Sequence, residues 1–198
     1  MIPWVENNPS IVYAVVEFIS KLSPSSYFME IAQLIREIPD FPKPGILFKD
    51  ITPVLAHPEG LKAIVDGLAG AFANLQVQGV LGIESRGFIV GAPVARALGC
   101  GFIPARKPKK LPAEVYSVEY ALEYGTDRIE MHRDAIQAGQ RILVIDDLLA
   151  TGGTASAAAQ LIQLAGGILV GFGFVVELSF LHGRQRLPEV PVVSLVTY

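Results

Sequence analysis

Cysteine is almost absent from this chain. Cys100 is the one cysteine in 198 residues. A single thiol excludes an intrachain disulfide framework and any metal site built on several cysteines. It sits in Leu98-Gly99-Cys100-Gly101-Phe102, where it reads as a small packed thiol rather than a reactive one. Cysteine usage of this kind suits the cytoplasm, and a cytoplasmic protein is expected. Histidine is scarce too. His57, His132 and His182 show no metal-ligand spacing and are expected at the surface or at helix ends. No apolar run is long enough to span a bilayer, although 51% of the residues are hydrophobic and mean hydropathy is +0.44. The apolar excess belongs to a buried sheet, with a subunit interface as a second place for it. The formal charge of −3 gives no global attraction for nucleic acid. A polyanionic ligand must then be drawn by a local basic cluster, and Arg106, Lys107, Lys109 and Lys110 form the one dense cluster. Two familiar phosphate signatures are missing. There is no Gly-x4-Gly-Lys-Ser/Thr run, and no Gly-x-Gly-x-x-Gly follows a strand; Gly171-Phe172-Gly173 lies inside an apolar, strand-like run. Internal repeats and low-complexity linkers are absent as well.

What is present is a strand ending in acids. Arg141-Ile142-Leu143-Val144-Ile145 is an apolar strand, Asp146-Asp147 follows, then Leu148-Leu149-Ala150-Thr151-Gly152-Gly153-Thr154 leads into an alanine-rich helix. The pattern places two carboxylates at the carboxyl end of a strand, beside free N–H groups at a helix N-terminus. In open α/β sheets that crevice is where ligands bind. Threonine hydroxyls, backbone N–H groups and a glycine pair that admits close approach can hold a phosphate. The acids repel that phosphate, so they face a sugar diol or a phosphate-bound cation. A ribose phosphate offers both groups at about this separation.

Hydrophobic periodicity fills in the rest. Tyr27 to Glu37 reads as an amphipathic helix through Ile31, Leu34, Ile35 and Ile38. Pro39, Pro42 and Pro44 predict a rigid extended loop. His57 to Leu75 reads as a helix, with Leu61, Ile64, Val65, Leu68 and Phe72 on one face. Val80–Ile83, Phe102–Ala105, Ile142–Ile145, Ile168–Val176 and Val190–Leu195 read as strands, and Gly87–Leu98 and Thr154–Leu164 as helices. Val115 to Leu122 and Thr126 to Met131 read as a two-stranded ribbon. Strands alternating with helices predict an α/β fold with a mostly parallel central sheet flanked by helices. At 198 residues the chain suits one domain with a full core. Ser10 to Ile19 is apolar but lacks a basic flank and is interrupted by Glu17, so no signal peptide is expected.

The Asp146–Thr154 segment closely resembles the loop that binds phosphoribosyl diphosphate (PRPP) in type I phosphoribosyltransferases. Four further segments narrow the resemblance to the adenine phosphoribosyltransferases: Phe41 to Ile51, Glu84-Ser85-Arg86-Gly87-Phe88, Arg106 to Pro112, and Leu122-Glu123-Tyr124-Gly125. They occur in the order that family uses. The resemblance covers about residues 28–198 and implies a type I phosphoribosyltransferase fold, with a small N-terminal hood at about 38–52 and a mobile β-ribbon. Residues 1–27 form an extension of unknown role.

The resemblance also implies roles. Asp146 and Asp147 support the ribose hydroxyls, while Ala150, Thr151, Gly152, Gly153 and Thr154 hold the 5′-phosphate. Glu84, Ser85, Arg86 and Gly87 form the pyrophosphate loop, whose Glu84–Ser85 peptide the family often keeps cis. Arg106, Lys107 and Lys110 contact the diphosphate; Lys109 departs from the small residue expected there and is expected to be solvated. Phe48 and Leu148 sandwich adenine, and backbone groups of Leu47 and Lys49 read its edge. Glu123 handles the proton on the base, and Tyr124 packs on the closed site. Mg2+ is carried by PRPP, supported by Asp146 and Asp147 rather than held in a protein cage. The implied partners are adenine, PRPP, AMP and pyrophosphate, with no nucleic acid and no membrane, in a homodimer. Taken alone, several of these residues read more plainly: Phe48 as a core aromatic, Glu123 as a surface carboxylate, the basic cluster as a solvated turn. Two other functions stay open. One is transfer to another purine such as xanthine. The other is a non-catalytic PRPP-sensing regulator, against which stand the short N-terminal stretch and its one basic residue, Lys21.

Overall fold

The structure, a computed structural model, describes residues 27–121 and 125–198. The N-terminal extension therefore lies outside the described residues, except for Tyr27. Helix α1 (Tyr27–Leu34) ends earlier than its periodicity predicts. Arg36–Pro39 is instead strand β1, paired antiparallel with β2 (Leu47–Asp50). The expected extended loop is thus a hairpin. Strand pairing overrides the helical spacing of Ile35 and Ile38, and Pro39, which cannot continue a helix, sits at the hairpin's end. The turn is closed by Asp40, whose carboxylate accepts from Gly45 N at 2.7 Å.

One buried acid ties this hairpin to the body. Asp50 is 6% exposed. It accepts from Arg36 at 2.6 Å and from the N–H and hydroxyl of Thr52, both at 2.9 Å. Thr52 opens the short helix α2 (Thr52–Ala56), an element absent from the sequence reading. Helix α3 (Pro58–Phe72) follows. His57 caps it, accepting from Gly60 N at 3.3 Å, and Pro58 stands in its first turn. Ile64, Leu68 and Phe72 are fully buried, one helical turn apart.

Five strands form one parallel sheet in the order β4-β3-β7-β8-β9: β3 (Gly79–Ile83), β4 (Gly101–Ala105), β7 (Arg141–Leu149), β8 (Ile168–Glu177) and β9 (Val192–Thr197). Helix α4 (Arg86–Leu98) connects β3 to β4, and α5 (Gly153–Leu164) connects β7 to β8. Alternate residues of the strands face opposite cores. Val80, Leu143 and Ile145 pack with α1, α3 and α4; Leu81, Ile142, Val144, Phe172 and Phe174 pack with α5 and the ribbon β5 (Val115–Ala121) and β6 (Thr126–His132). Gly171 and Gly173 have a packing cause. A Cβ on Gly171 would lie 2.7 Å from Phe72, and one on Gly173 would lie 2.6 Å from Ile145. The ribbon expected to be mobile has a packed stem: Val118, Tyr120, Ile129 and Met131 are all buried. A swing of the whole ribbon would strip them from the core.

Strand β7 also departs from expectation. It does not stop before the acids but runs through them, with Asp146 opposite Phe174, Leu148 opposite Val176 and Leu149 opposite Glu177. Aspartate disfavours strands, but the extended partner β8 supplies the ladder that overrides this.

The Asp50 contacts imply a pH signature. The Thr52 N–H first, then Arg36, against the opposing cost of burial, hold the Asp50 carboxyl below its ordinary range. A depressed folded pKa contributes stability above the unfolded value and loses it as pH falls through the folded value. Asp50→Asn should therefore cost about 1–3 kcal/mol at neutral pH. In denaturant melts the gap to the parent should close as pH drops below the ordinary carboxylate range; a gap constant with pH would show that the Asp50 charge is unimportant.

Candidate active site

Parallel strands share one carboxyl edge, and three of them deliver the candidate residues there. Gly82 of β3 pairs with Ile145 of β7, and Ile83 of β3 pairs with Ala105 of β4. The next residues are Glu84, Asp146 and Arg106. Arg106 is bonded to Glu84, and Glu84 and Asp146 line a cavity of about 390 Å3, within the usual size for small-ligand sites. Its wall includes Glu84, Ser85 and Arg86 from the β3–α4 turn, Lys107 from the basic segment, and Asp146, Asp147, Leu148, Ala150 and Thr154 from β7 and α5. Ile83, Tyr120 and Ile129 also line it. Sequence reasoning missed those three because they are ordinary apolar or ribbon residues with no motif.

The acid pair is unequal. Asp147 is 6% exposed and its Oδ2 accepts from Arg86 Nε at 2.5 Å. Asp146 Oδ1 accepts from Asp147 N at 2.8 Å. Burial, then the neighbouring Asp147 charge, pushes the Asp146 carboxyl well above the ordinary range. Gly87 makes room for it, since a Cβ there would lie 2.8 Å from Asp146 Oδ1. Two carboxylates, each with one oxygen engaged, cannot cage a hard cation. They can supply one or two ligands to an Mg2+ that arrives on phosphates. Among the described residues no cluster of three or more His, Cys, Asp or Glu could hold a metal by itself.

The β3–α4 turn contains a cis peptide between Glu84 and Ser85, as the resemblance led one to expect. Glu84 offers nothing to an anion. Its N–H donates to Ala105 O at 2.9 Å, and its carboxylate accepts from Arg106 at 2.9 Å and from Lys107 N at 2.9 Å. It orients the cations instead. Arg106 also donates to Lys110 O at 3.2 Å and exchanges two backbone hydrogen bonds with Glu130 of β6. Lys107 Nζ is ion-paired with Asp127 and donates to Tyr120 Oη at 2.9 Å, so the ribbon holds it. Lys109 and Lys110 are exposed.

The loop after β7 contains Thr151 and Gly152, the latter at φ +79°. Gly152 stands at the N-cap of α5 with no side chain capping it, and Gly153 opens the helix. The first N–H groups of α5 are thus open to an anion. On the hood, Phe48 is half-buried rather than a core aromatic. It packs edge-on against Phe41 at 5.1 Å, and the Arg86 guanidinium lies 5.3 Å from its centroid. The Lys49 ammonium is committed to Glu37 and to the Tyr198 ring at 3.6 Å, which leaves only its backbone for a ligand. Leu47 is 47% exposed. Strand β2 pairs only with β1 among the described strands, so its other edge is unpaired. Glu123 and Tyr124 lie outside the described residues. His57 and Lys109 stand where expected, at a helix end and in solvent.

Residues 51–189 match the model of the phosphoribosyl transferase domain family. The adenine phosphoribosyltransferase of Thermosynechococcus vestitus is 61% identical over 170 residues, which is 86% of this chain and 100% of that protein. The crystal structure of adenine phosphoribosyltransferase from Thermoanaerobacter pseudethanolicus superposes with a TM-score of 0.84 at 50% identity, covering 86% of this chain and 99% of that one. That from Saccharomyces cerevisiae, complexed with an imino-altritol bisphosphate and adenine, gives 0.82 at 40% identity, covering 86% and 99%.

The Lys107 contacts make a prediction. If Lys107 serves the diphosphate, Asp127 competes for it. Asp127→Asn should tighten pyrophosphate binding by about two- to fivefold, the scale of an exposed ion pair. Titration calorimetry at fixed ionic strength reads this directly; unchanged or weaker binding would remove Lys107 from the diphosphate site. With two clusters of anion donors converging on an acid pair, and relatives at this identity over nearly their whole length, the chain belongs to the phosphoribosyltransferase family and, within it, to the adenine phosphoribosyltransferases.

Proposed function

We propose that the protein transfers the phosphoribosyl group of PRPP to adenine, giving AMP and pyrophosphate. The observation that carries this is the convergence of two anion sites on either side of Asp146–Asp147 in one cavity. PRPP has this layout: a 5′-phosphate at one end, a diphosphate at the other and a diol between. In the reaction the C1–O bond to diphosphate breaks as N9 of the base bonds to C1, through a transition state of oxocarbenium character. The protein has to position the partners, exclude water and stabilise the departing diphosphate.

The residues divide the work. Thr151, Gly152, Gly153 and Thr154 donate to the 5′-phosphate, and Ala150 shapes the loop's entry. Ser85, Arg86 and Gly87 meet the diphosphate together with Arg106, Lys107 and Lys110, while Glu84 orients Arg106. Asp146 and Asp147 accept from the ribose hydroxyls. The same two acids would support an Mg2+ arriving with PRPP, which would supply charge neutralisation for the diphosphate. Phe48 and Leu148 stack on the adenine faces, and the backbone of Leu47 and Lys49 on the open β2 edge reads its rim. Glu123 receives the proton from the base, and Tyr124 beside it in sequence serves the same closing segment. The working unit is residues 28–198, as a homodimer in the cytoplasm; no described helix is long and apolar enough to cross a membrane.

Release of pyrophosphate and formation of the matching nucleoside monophosphate from PRPP with adenine, hypoxanthine, guanine and xanthine, each with and without Mg2+, tests the reading. Adenine should be turned over alone among the four, and only with Mg2+. Preference for xanthine would overturn base choice, and PRPP binding without turnover would favour a regulator. Phe48→Ala should weaken adenine more than PRPP, by about 1–3 kcal/mol if stacking follows the scale of base–aromatic contacts; equal losses for both would return Phe48 to a packing role. For Glu123→Gln, single-turnover AMP formation should slow by roughly 10²-fold or more, with PRPP affinity little changed. A parent-like rate would mean that the proton leaves through water or substrate.

A further inference from the structure

The loop after β7 does not stand alone. Gly183 is buried and begins a short 3-10 turn, Gly183–Arg186. A Cβ on Gly183 would lie 2.2 Å from Ala150 O and 3.1 Å from Gly152 N. Reciprocally, a Cβ on Gly152 would lie 2.3 Å from Gly183 O. Two backbones thus cross with no side chain between them, and the hydrogen in place of Cβ on Gly183 faces the Ala150 carbonyl. Both glycines are needed for this approach.

The turn is itself tethered. Arg184 donates to both oxygens of Glu177, at 2.7 and 2.6 Å, and to Val192 O at 2.9 Å. Ser194 Oγ donates to Glu177 at 2.6 Å. Glu177 is 5% exposed and pairs with Leu149, the residue before Ala150. The guanidinium therefore fixes the turn to the strand end that launches the loop. A fork-to-carboxylate pair fixes direction as well as distance.

A peptide unit is planar and trans, so its C=O and the next N–H point to opposite sides. Packing the Ala150 carbonyl against Gly183 directs the Thr151 N–H away from the turn. We infer that Gly183, held by Arg184, is a positioning element for the 5′-phosphate of PRPP: it sets the direction of the Thr151 N–H and the seat of Gly152 at the α5 N-terminus. Neither Gly183 nor Arg184 lines the cavity. This rests on the reading of Ala150–Thr154 as the phosphate loop.

Four variants of the full chain test it: Gly183→Ala, Arg184→Met, Thr154→Ala and Gly167→Ala. The last is an overpacking control beyond the far end of α5, where a Cβ would meet Ile136 at 2.9 Å and Ile162 at 3.0 Å. The readouts are Kd for ribose 5-phosphate, KM for PRPP, KM for adenine at saturating PRPP, and Tm. Gly183→Ala should raise the first two by roughly tenfold or more, the scale of a displaced binding group, with adenine KM held within about twofold. Gly167→Ala should lower Tm and leave all three constants in place. A Gly183→Ala protein that behaves like Gly167→Ala overturns the inference. If Thr154→Ala weakens ribose 5-phosphate while Gly183→Ala does not, only the positioning role fails. If neither does, the phosphate-loop reading fails with it. Should Gly183→Ala not fold, Arg184→Met decides by the same split between PRPP and adenine.

Discussion

Two adjacent carboxylates in the carboxyl-terminal half of β7 repel each other, and the site exists because that repulsion is managed. Arg86 meets Asp147 at 2.5 Å, and Asp146 is half-buried beside it. One acid is thus charge-balanced by Arg86, and the other has its carboxyl pushed up by burial and by its neighbour's charge. Arg86 also lies against the Phe48 ring. A single guanidinium therefore links the acid pair, the β3–α4 turn and the hood. A ligand bringing its own phosphates and a cation would take over part of that balance and free Arg86 for the diphosphate.

The other cations are held by acids as well. Glu84 orients Arg106, and Asp127 with Tyr120 holds Lys107. The Lys107–Asp127 pair is the more exposed of the two and weak, so it positions Lys107 without locking it away from a stronger anion, whereas the part-buried two-pronged Glu84 fork fixes the direction of Arg106. On the opposite side the α5 N-terminus carries no side-chain cap and remains open. The architecture supplies the rest. A parallel sheet with α4 and α5 springing from adjacent strands places two helix N-termini on one edge, about the acids.

Much of this was legible in the sequence because it is local. Helix α3 follows from His57, Pro58 and a single apolar stripe, and the strands of the sheet follow from short apolar runs with turn residues between them. The Asp146–Thr154 loop, the Glu84–Gly87 turn and the basic segment each carry their chemistry in a few consecutive residues, and all three meet at the cavity. What escaped is non-local. Nothing in Arg36–Pro39 marks a strand until Leu47–Asp50 pairs with it. The acids of β7 read as a strand's end because aspartate disfavours strands, and only β8 shows otherwise. Arg86 and Asp147 are 61 residues apart, and Tyr120 and Ile129 reach the cavity through ribbon pairing. Gly171 and Gly173 belong to no motif, and their causes are the Phe72 ring of α3 for the first and the Ile145 side chain of β7 for the second.

The central claim is that Asp146 and Asp147 bind PRPP and support its Mg2+ together. The direct measurement is calorimetric titration of PRPP into the parent and into the Asp146→Asn, Asp147→Asn double variant, each across a range of Mg2+ concentrations, with a melting curve to verify the fold. The account predicts a folded variant whose PRPP affinity falls by roughly 10- to 100-fold, the worth of one or two charged hydrogen bonds, and whose affinity no longer rises with Mg2+. A folded double variant that binds PRPP as the parent does, with the same Mg2+ dependence, would contradict it.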